Sequence, residues 1–328
     1  MDMGSQLALV TGAGGFIGSH LVEHLLSAGL KVRAFVRYTS SGKAGWLESV
    51  GTDHADLELF FGDLCDPDAV TQAAKGCTHI FHLGALIAIP FSYQQPRSFV
   101  AVNVSGTQNV LEAMRACGTS RGVFVSTSEV FGSARYVPMD EEHPRAPQSP
   151  YAASKVAADA LVWSYHASFD LPVVIARPFN TYGPRQSLRA IVPTVLAQAR
   201  SGGPLVLGNL EPTRDLNYVT DTAAGLAACG LVAGVEGEEF NLGSGREISV
   251  GDLAQRACAM FGTEYKVTRE ERRVRPAGSE VTRLLCNSAK AKARLHWEPR
   301  VNFEDGLKRT ADWLAQQEPG RWVKEFQL

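Results

Sequence analysis

The chain has 328 residues, 45% of them apolar, with 32 Lys plus Arg against 34 Asp plus Glu for a net charge of −2. At roughly 150 residues per domain that gives two structural units or one large α/β domain with a sizeable core. Without a block of like charges the chain has no grip on phosphate backbones or anionic lipid, so nucleic acid and membrane surfaces are not expected partners.

A strand-like run, Leu7 to Val10, comes within a few residues of Met1, with no basic leader or hydrophobic signal segment, and the expected location is cytoplasmic. From there short runs rich in Val, Ile, Leu and Phe alternate with stretches of helical period, the pattern of βαβ units closing a parallel sheet. Strands are expected near 6–10, 31–37, 57–61, 78–83, 121–127 and 172–177, with helices near 16–28, 68–75, 98–117 and 151–168. The apolar stretch Ile80 to Phe91 is broken by His82, Gly84 and Pro90 and is shorter than the roughly 18 residues of a bilayer span.

Past residue 180 the rhythm loosens into a helix near 188–201, the short strand Leu205 to Leu207, loops, and helices near 249–261 and 303–316. The fold class is therefore α/β: a Rossmann doubly wound parallel sheet with a smaller C-terminal substrate-binding α/β lobe. The expected division places 1–179 and about 215–242 in the dinucleotide-binding domain, and about 180–214 and 243–328 in the second lobe. The charged run Arg269 to Arg275 reads as a loop. Cys65, Cys77, Cys117, Cys229, Cys258 and Cys286 form neither a Cys-x-x-Cys pair nor a zinc-like cluster, so neither a metal nor a disulfide framework is expected.

The first strand runs into Thr11-Gly12-Ala13-Gly14-Gly15-Phe16-Ile17-Gly18, and an amphipathic helix follows. Gly12, Gly15 and Gly18 suit a tight turn, close approach to a pyrophosphate and close helix–strand packing, while N–H groups at Phe16 and Ile17 open the helix towards the anion. The expected cofactor is a nicotinamide dinucleotide. After the second strand no carboxylate appears until Glu48, and Arg37 stands where an acidic residue would take a ribose hydroxyl. Arg37, with Arg33 or Lys43, suits a 2′-phosphate and so favours NADP; it suits equally well stacking on adenine in NAD. Asp63 and Leu64, past the third strand, sit where an adenine contact is expected; Asp63 also suits a helix cap.

Tyr151 and Lys155 lie four apart at the start of a helix, hence on one face, and Thr127 closes the fifth strand towards the same sheet edge. An ammonium and a positive nicotinamide ring favour the phenolate of Tyr151, which then deprotonates a substrate hydroxyl, and Lys155 also suits the nicotinamide ribose.

Several segments together resemble the extended short-chain dehydrogenase/reductases, the NAD-dependent epimerase/dehydratase family. They are Thr11 to Gly18, Gly62-Asp63-Leu64, His82-Leu83-Gly84-Ala85, Asn103 to Thr107, Ser126 to Gly132, Tyr151 to Lys155, Arg177 to Pro184 and Arg214 to Val219. The resemblance implies a nucleotide-sugar substrate, cofactor contacts from Leu83, Gly84 and Ala85, substrate contacts from Asn180, Arg214 and Arg275, and a homodimer built on helices near 98–117 and 151–168. Within the family, Arg33 to Tyr38, Trp46 to Glu48, Ala85 to Tyr93, Arg177 to Gln186 and Pro212 to Asp215 are most similar to nucleotide-activated N-acetylglucosamine 4,6-dehydratases of the legionaminic-acid pathway type.

That likeness implies oxidation at C4, loss of water across C5 and C6, and return of the hydride to C6. The elimination needs a base for the C5 proton, and Glu129, two residues past Thr127, is the candidate. The glucose 4,6-dehydratases carry an aspartate where this chain has Ser128, a candidate proton relay. Thr-Ser-Glu also resembles the sugar-nucleotide decarboxylases, for which Arg185 is a candidate holder of the uronic carboxylate; C4 epimerisation is a further alternative. Ser92 is a candidate sugar contact. A non-catalytic cofactor-binding sensor is a third reading, against which Thr127, Tyr151 and Lys155 all stand.

Overall fold

The computed structural model describes residues 6–317; the ends of the expected division, 1–5 and 318–328, lie outside the described residues. In chain order the first half holds β1 (Leu7–Thr11), α1 (Phe16–Ser27), β2 (Lys31–Arg37), α2 (Leu47–Val50), β3 (Leu57–Gly62), α3 (Pro67–Ala74), β4 (His79–His82), α4 (Ile89–Gln94) and α5 (Pro96–Phe99). A π-helical turn, Val100–Ser105, leads into α6 (Gly106–Cys117), so the single helix expected near 98–117 is three joined pieces. Then come β5 (Arg121–Val125), α7 (Pro150–Phe169), β6 (Val173–Pro178), β7 (Asn180–Tyr182), α8 (Ile191–Ser201), β8 (Leu205–Leu207), β9 (Thr213–Tyr218), α9 (Val219–Leu231) and β10 (Glu239–Leu242). The remainder is β11 (Glu247–Ser249), α10 (Val250–Phe261), β12 (Val267–Arg269), β13 (Arg283–Leu284), α11 (Ala289–Leu295) and α12 (Phe303–Ala315).

Seven parallel strands form one sheet in the order β10-β6-β5-β4-β1-β2-β3. The order runs outward from β1 to β3 and then returns to place β4 on the other side of β1. Between β1 and β4 the winding reverses, which opens a crevice at the carboxyl ends of these strands. One apolar cluster, with Val10, Leu21, Leu25, Phe81, Leu226 and Phe240, fills the side of α1 and α9; another, with Leu9, Ile80, Leu111, Phe124 and Val162, fills the side of α3, α6 and α7. Strands covered on both faces read as near-continuous apolar runs, which is why they were legible.

The second sheet has β9 between β11 and β13, with β7 also on β9, and β12 pairs with β8. Its core joins Tyr182, Leu196, Leu216, Leu253 and Leu307. The chain thus returns to the large sheet at α9 and β10, while β9, directly before α9, stays in the small one. Among the described residues no helix is long and apolar enough to cross a membrane.

Candidate active site

At the crevice, β1 turns through Gly12, where φ is +70° and an added Cβ would lie 2.9 Å from the Gly84 backbone nitrogen. Only glycine fits both the left-handed backbone and that approach. Gly15 then leads into α1, whose start has no side-chain cap and no acidic residue in its first turn. An uncapped helix start leaves N–H groups of the first turn, among them Phe16 and Ile17, open to an anion. A Cβ at Gly18 would overlap the Gly12 carbonyl, so α1 packs onto the loop itself. The backbone therefore fits a dinucleotide pyrophosphate.

The facing rim is His82-Leu83-Gly84-Ala85. Thr11 Oγ1 accepts from Gly84 N at 3.1 Å and meets His82 Nδ1 at 2.8 Å, while His82 Nε2 meets Thr107 Oγ1 at 3.1 Å. Burial holds His82 down to about 3, so it is a neutral hydrogen-bonding strut and no proton donor at neutral pH. Asp63 accepts from Cys65 N at 2.9 Å, and the cap of α3 is Asp66, not Asp63. Leu64 packs against Gly84. Arg37 is exposed at the end of β2. Arg33 is not its helper: its guanidinium is bonded to Glu58 at 2.8 Å and to the Ala73 and Lys75 carbonyls.

Strand β5 ends at Val125, earlier than expected, and Thr127 is the extended cap of a 3₁₀ turn, Ser128–Phe131, its Oγ1 accepting from Glu129 N at 3.3 Å. The turn buries both Ser128 and Glu129, so Glu129 is no surface glutamate. Ser149 caps α7 and Pro150 opens it, which fixes Tyr151 in the first turn. The Tyr151 hydroxyl faces the Thr127 side chain. Burial pushes its phenol well above the ordinary value, Thr127 acts the other way, and the charges of Glu129 and Asp159 add to the rise. Burial is the largest influence on the Tyr151 phenol here, whereas the expectation that an ammonium and a positive nicotinamide ring together favour the phenolate concerns the enzyme with cofactor bound. Lys155 Nζ donates to Val125 O at 2.7 Å, and burial lowers its own affinity for the proton, with Asp159 raising and Arg177 lowering it.

Charges from the second lobe come to the same turn. Arg275 Nη1 stands 3.9 Å from Glu129 Oε2 and is buried without a hydrogen-bond partner. Arg214 donates to its neighbour Thr213 O at 2.9 Å and stands 3.6 Å from Glu280 Oε1. Burial lowers the proton affinity of Arg214, and the field of Glu129 restores part of it. Asn180 Oδ1, at the start of β7, is likewise buried without a partner. Buried donors and acceptors in native folds are nearly all satisfied, so unsatisfied atoms of this kind mark a place for a ligand.

Two expected contacts are corrected. Arg185, at φ +71°, makes a two-pronged bond to Glu23 at 2.7 and 2.8 Å and reaches Ser19 Oγ at 3.2 Å, so it ties the loop after β7 to α1 rather than facing a sugar. Ser92 is fully buried and donates to Ile89 O at 2.7 Å. Its neighbour Tyr93 instead spans to Ser279 Oγ at 2.6 Å.

The model of the GDP-mannose 4,6 dehydratase family matches residues 9–310. The chain belongs to this family of extended short-chain dehydrogenase/reductases. It is 33% identical to a dTDP-glucose 4,6-dehydratase of Streptomyces niveus, covering 93% of this chain and 91% of that one. It is 35% identical to the low-salt glycan biosynthesis protein Agl12 of Haloferax volcanii, covering 93% and 97%. Among solved structures it superposes on the dTDP-glucose 4,6-dehydratase DesIV of Streptomyces venezuelae, with NAD and TYD bound, at a TM-score of 0.88, 30% identity and coverage of 98% and 100%. The UDP-glucuronic acid 4-epimerase of Bacillus cereus, with UDP-glucuronic acid and NAD, gives 0.88 at 27% identity over 95% of this chain and 99% of that one.

For a member of this family, the sequence reading passed over the buried charges behind the centre: Asp159 on α7, Arg177 on β6 and Glu239 on β10. Their signal was present. Asp159 interrupts the apolar stretch Val156 to Val162, and Arg177 ends the apolar run of β6.

Proposed function

We propose that this protein is a nucleotide-sugar 4,6-dehydratase that takes UDP- or GDP-N-acetylglucosamine to the 4-keto-6-deoxy sugar. The observation that carries the reading is Glu129, a carboxylate buried on the Thr127 turn beside the Tyr151 hydroxyl. Epimerisation at C4 needs no such base, whereas loss of water needs one for the C5 proton, made acidic by the C4 ketone. Tyr151 takes the O4 proton, Thr127 orients that hydroxyl, and Lys155 fixes the end of β5 and holds positive charge nearby. Glu129 takes the C5 proton, and Ser128 relays a proton to the departing C6 oxygen. Asn180, Arg214 and Arg275 hold the nucleotide diphosphate.

The cofactor is a nicotinamide dinucleotide, held by Gly12, Gly15, Phe16, Ile17, Gly18, Asp63, Leu64, Leu83, Gly84, Ala85 and Arg37 along with Tyr151 and Lys155. Bound there, it would supply the acceptor for the C4 hydride and the donor for its return to C6. Arg37, followed in the chain by no carboxylate until Glu48, favours NADP, while the solved relatives above hold NAD. The homodimer is proposed on α6 and α7: Ala153, Ala157, Ala160 and Ser164 lie exposed along one side of α7, and Val100 is exposed before α6.

A second reading, C4 oxidation of a UDP-uronic acid with decarboxylation or inversion, is favoured by the partnerless Arg275 Nη1, which suits a C6 carboxylate beside Glu129. Mass spectrometry of the products from UDP-N-acetylglucosamine, GDP-N-acetylglucosamine and UDP-glucuronic acid, with NAD and NADP supplied separately, separates the two. Loss of one water from an amino sugar is expected. Carbon dioxide release, or an isomer of unchanged mass from the uronic acid, overturns the dehydratase reading.

A further inference from the structure

Lys155 is almost wholly buried, yet among the described residues it bonds no carboxylate; its Nζ goes to the Val125 carbonyl at 2.7 Å. An ammonium taken out of water needs a compensating charge close by. One helical turn further along α7 stands Asp159, itself buried, and its Oδ2 accepts from Ser126 Oγ at 2.7 Å and from Arg177 Nη2 at 3.0 Å. Arg177, fully buried on β6, also donates to Glu239 on β10 at 2.5 Å. Glu239 is held in turn by Arg145 at 2.5 Å and by Trp163 Nε1 at 2.9 Å.

The consequence is geometric. Residues 125 and 126 at the end of β5 are pinned to α7 at two points one turn apart, Val125 by Lys155 and Ser126 by Asp159. Thr127 comes next in the chain, as the cap of the following turn, and Tyr151 lies one turn before Lys155 on the helix. Two pins fix both the height and the rotation of the helix relative to the strand end, whereas one would leave rotation free. The facing Thr127 and Tyr151 side chains lie just past those pins.

We propose that Asp159 is a positioning residue for the hydride step: through Ser126 it locks the end of β5 to α7, and with Arg177 it forms the buried charge pair against which Lys155 remains an ammonium. The inference rests on Tyr151 as the base of that step. Asp159 touches neither substrate nor cofactor; it acts through Ser126, Lys155 and Arg177. Removing its charge takes from Lys155 the carboxylate that favours its ammonium, while Arg177, still bonded to Glu239, keeps acting against it and His82 faces it from β4 as a neutral ring, so the ammonium is lost at lower pH. Removing only the Ser126 hydroxyl loosens one pin and leaves the charges in place.

The test is Asp159→Asn and Ser126→Ala in the full-length enzyme, read by single-turnover cofactor reduction across pH. Displacement of a catalytic pair by about 1 Å costs on the order of 100-fold. Asp159→Asn is expected to lower kcat by about that factor with KM nearly unchanged, and to move the alkaline limb of the kcat profile to lower pH. Ser126→Ala is expected to lower kcat by about 10-fold with the limb in place, as suits loss of one hydrogen bond. A wild-type rate and profile in Asp159→Asn overturns the proposal, and so does a rate loss with an unmoved limb, since a merely structural role gives that result. If Asp159→Asn does not fold, Asp159→Glu and Ser126→Ala decide by the split between kcat and KM: reduced kcat at unchanged KM in both, with the limb in place because the charge is kept, supports it, and wild-type kcat in either, or a matching rise in KM, overturns it. Tyr151→Phe is run alongside. If that variant still reduces cofactor, the reading of Tyr151 has failed; if it does not while Asp159→Asn behaves as wild type, only the inference about Asp159 has.

Discussion

The wall of the cleft built by β5 and α7 bonds its polar groups within itself: Thr127 Oγ1 to the Glu129 backbone nitrogen, Lys155 to the Val125 carbonyl, Asp159 to the side chains of Ser126 and Arg177. The wall contributed after β6 holds polar groups in reserve, with Arg275 Nη1 and Asn180 Oδ1 buried without a hydrogen-bond partner. The first wall is complete before anything binds; the second is completed by a ligand. Preorganised groups favour the transition state because they need no rearrangement during reaction, while groups left open contribute to binding. The comparison therefore assigns rate effects to the first wall and affinity effects to the second.

The largest effect belongs to Tyr151. Tyr151→Phe removes the group that takes the O4 proton, and general bases contribute roughly 10²- to 10⁴-fold, so the rate of cofactor reduction should fall by about 10³. Stopped-flow absorbance of the reduced cofactor measures it, and a near wild-type rate would remove Tyr151 from the centre. The same assay gives a pH profile with a determined sign. Burial raises Tyr151 and lowers Lys155, so phenolate is scarce at neutral pH and the rate climbs as pH rises, then falls where Lys155 loses its proton. A profile that falls steadily from pH 6 upward contradicts this pair.

Glu129→Gln comes next and splits the first wall in two. C4 oxidation should proceed, with reduced cofactor and 4-keto sugar accumulating, while water loss drops by roughly 10²- to 10³-fold. Product analysis that shows unchanged dehydration takes Glu129 out of the elimination.

Arg275→Ala tests the second wall. Charge-assisted hydrogen bonds contribute about 1.5–3 kcal/mol, so KM for the nucleotide sugar should rise by roughly 10- to 100-fold with kcat changed far less. Steady-state kinetics with the sugar nucleotide varied reads the split. If kcat falls instead and KM does not, Arg275 acts on Glu129 at the reacting carbon, and the line between the two walls is drawn in the wrong place.

How much of this was legible follows the same division. The parallel strands were readable because strands buried on both faces are continuous apolar runs, and the glycine turn because Gly12 and Gly18 meet backbone that excludes a side chain. Tyr151, Lys155 and Thr127 were readable because helix spacing and strand ends place them without reference to anything distant. Asp159, Arg177 and Glu239 were not, since they lie on three elements brought together only by sheet order. Nor could spacing show that Ser92 turns inward to Ile89 O. Strand β9 was read with its successor α9, although its partners, β7, β11 and β13, make it part of the small sheet.

Arg185 is the smallest expected effect and the sharpest check on that limit. By sequence it sits two residues past Gly183, where a sugar contact is reasonable, yet its guanidinium is spent on Glu23 and Ser19 of α1. The Glu23 side chain is 36% exposed, so the pair is partly screened and should contribute at most about 1 kcal/mol to stability. Arg185→Ala should therefore lower Tm only slightly and leave kcat and KM for every sugar nucleotide within about fivefold, the factor to which 1 kcal/mol corresponds. A selective loss of about 100-fold with UDP-glucuronic acid would mean that Arg185 leaves Glu23 when a uronic carboxylate arrives. A group tied down on α1 in the resting structure would then be released to the ligand, and the decarboxylase reading would gain the residue that the resting structure takes from it.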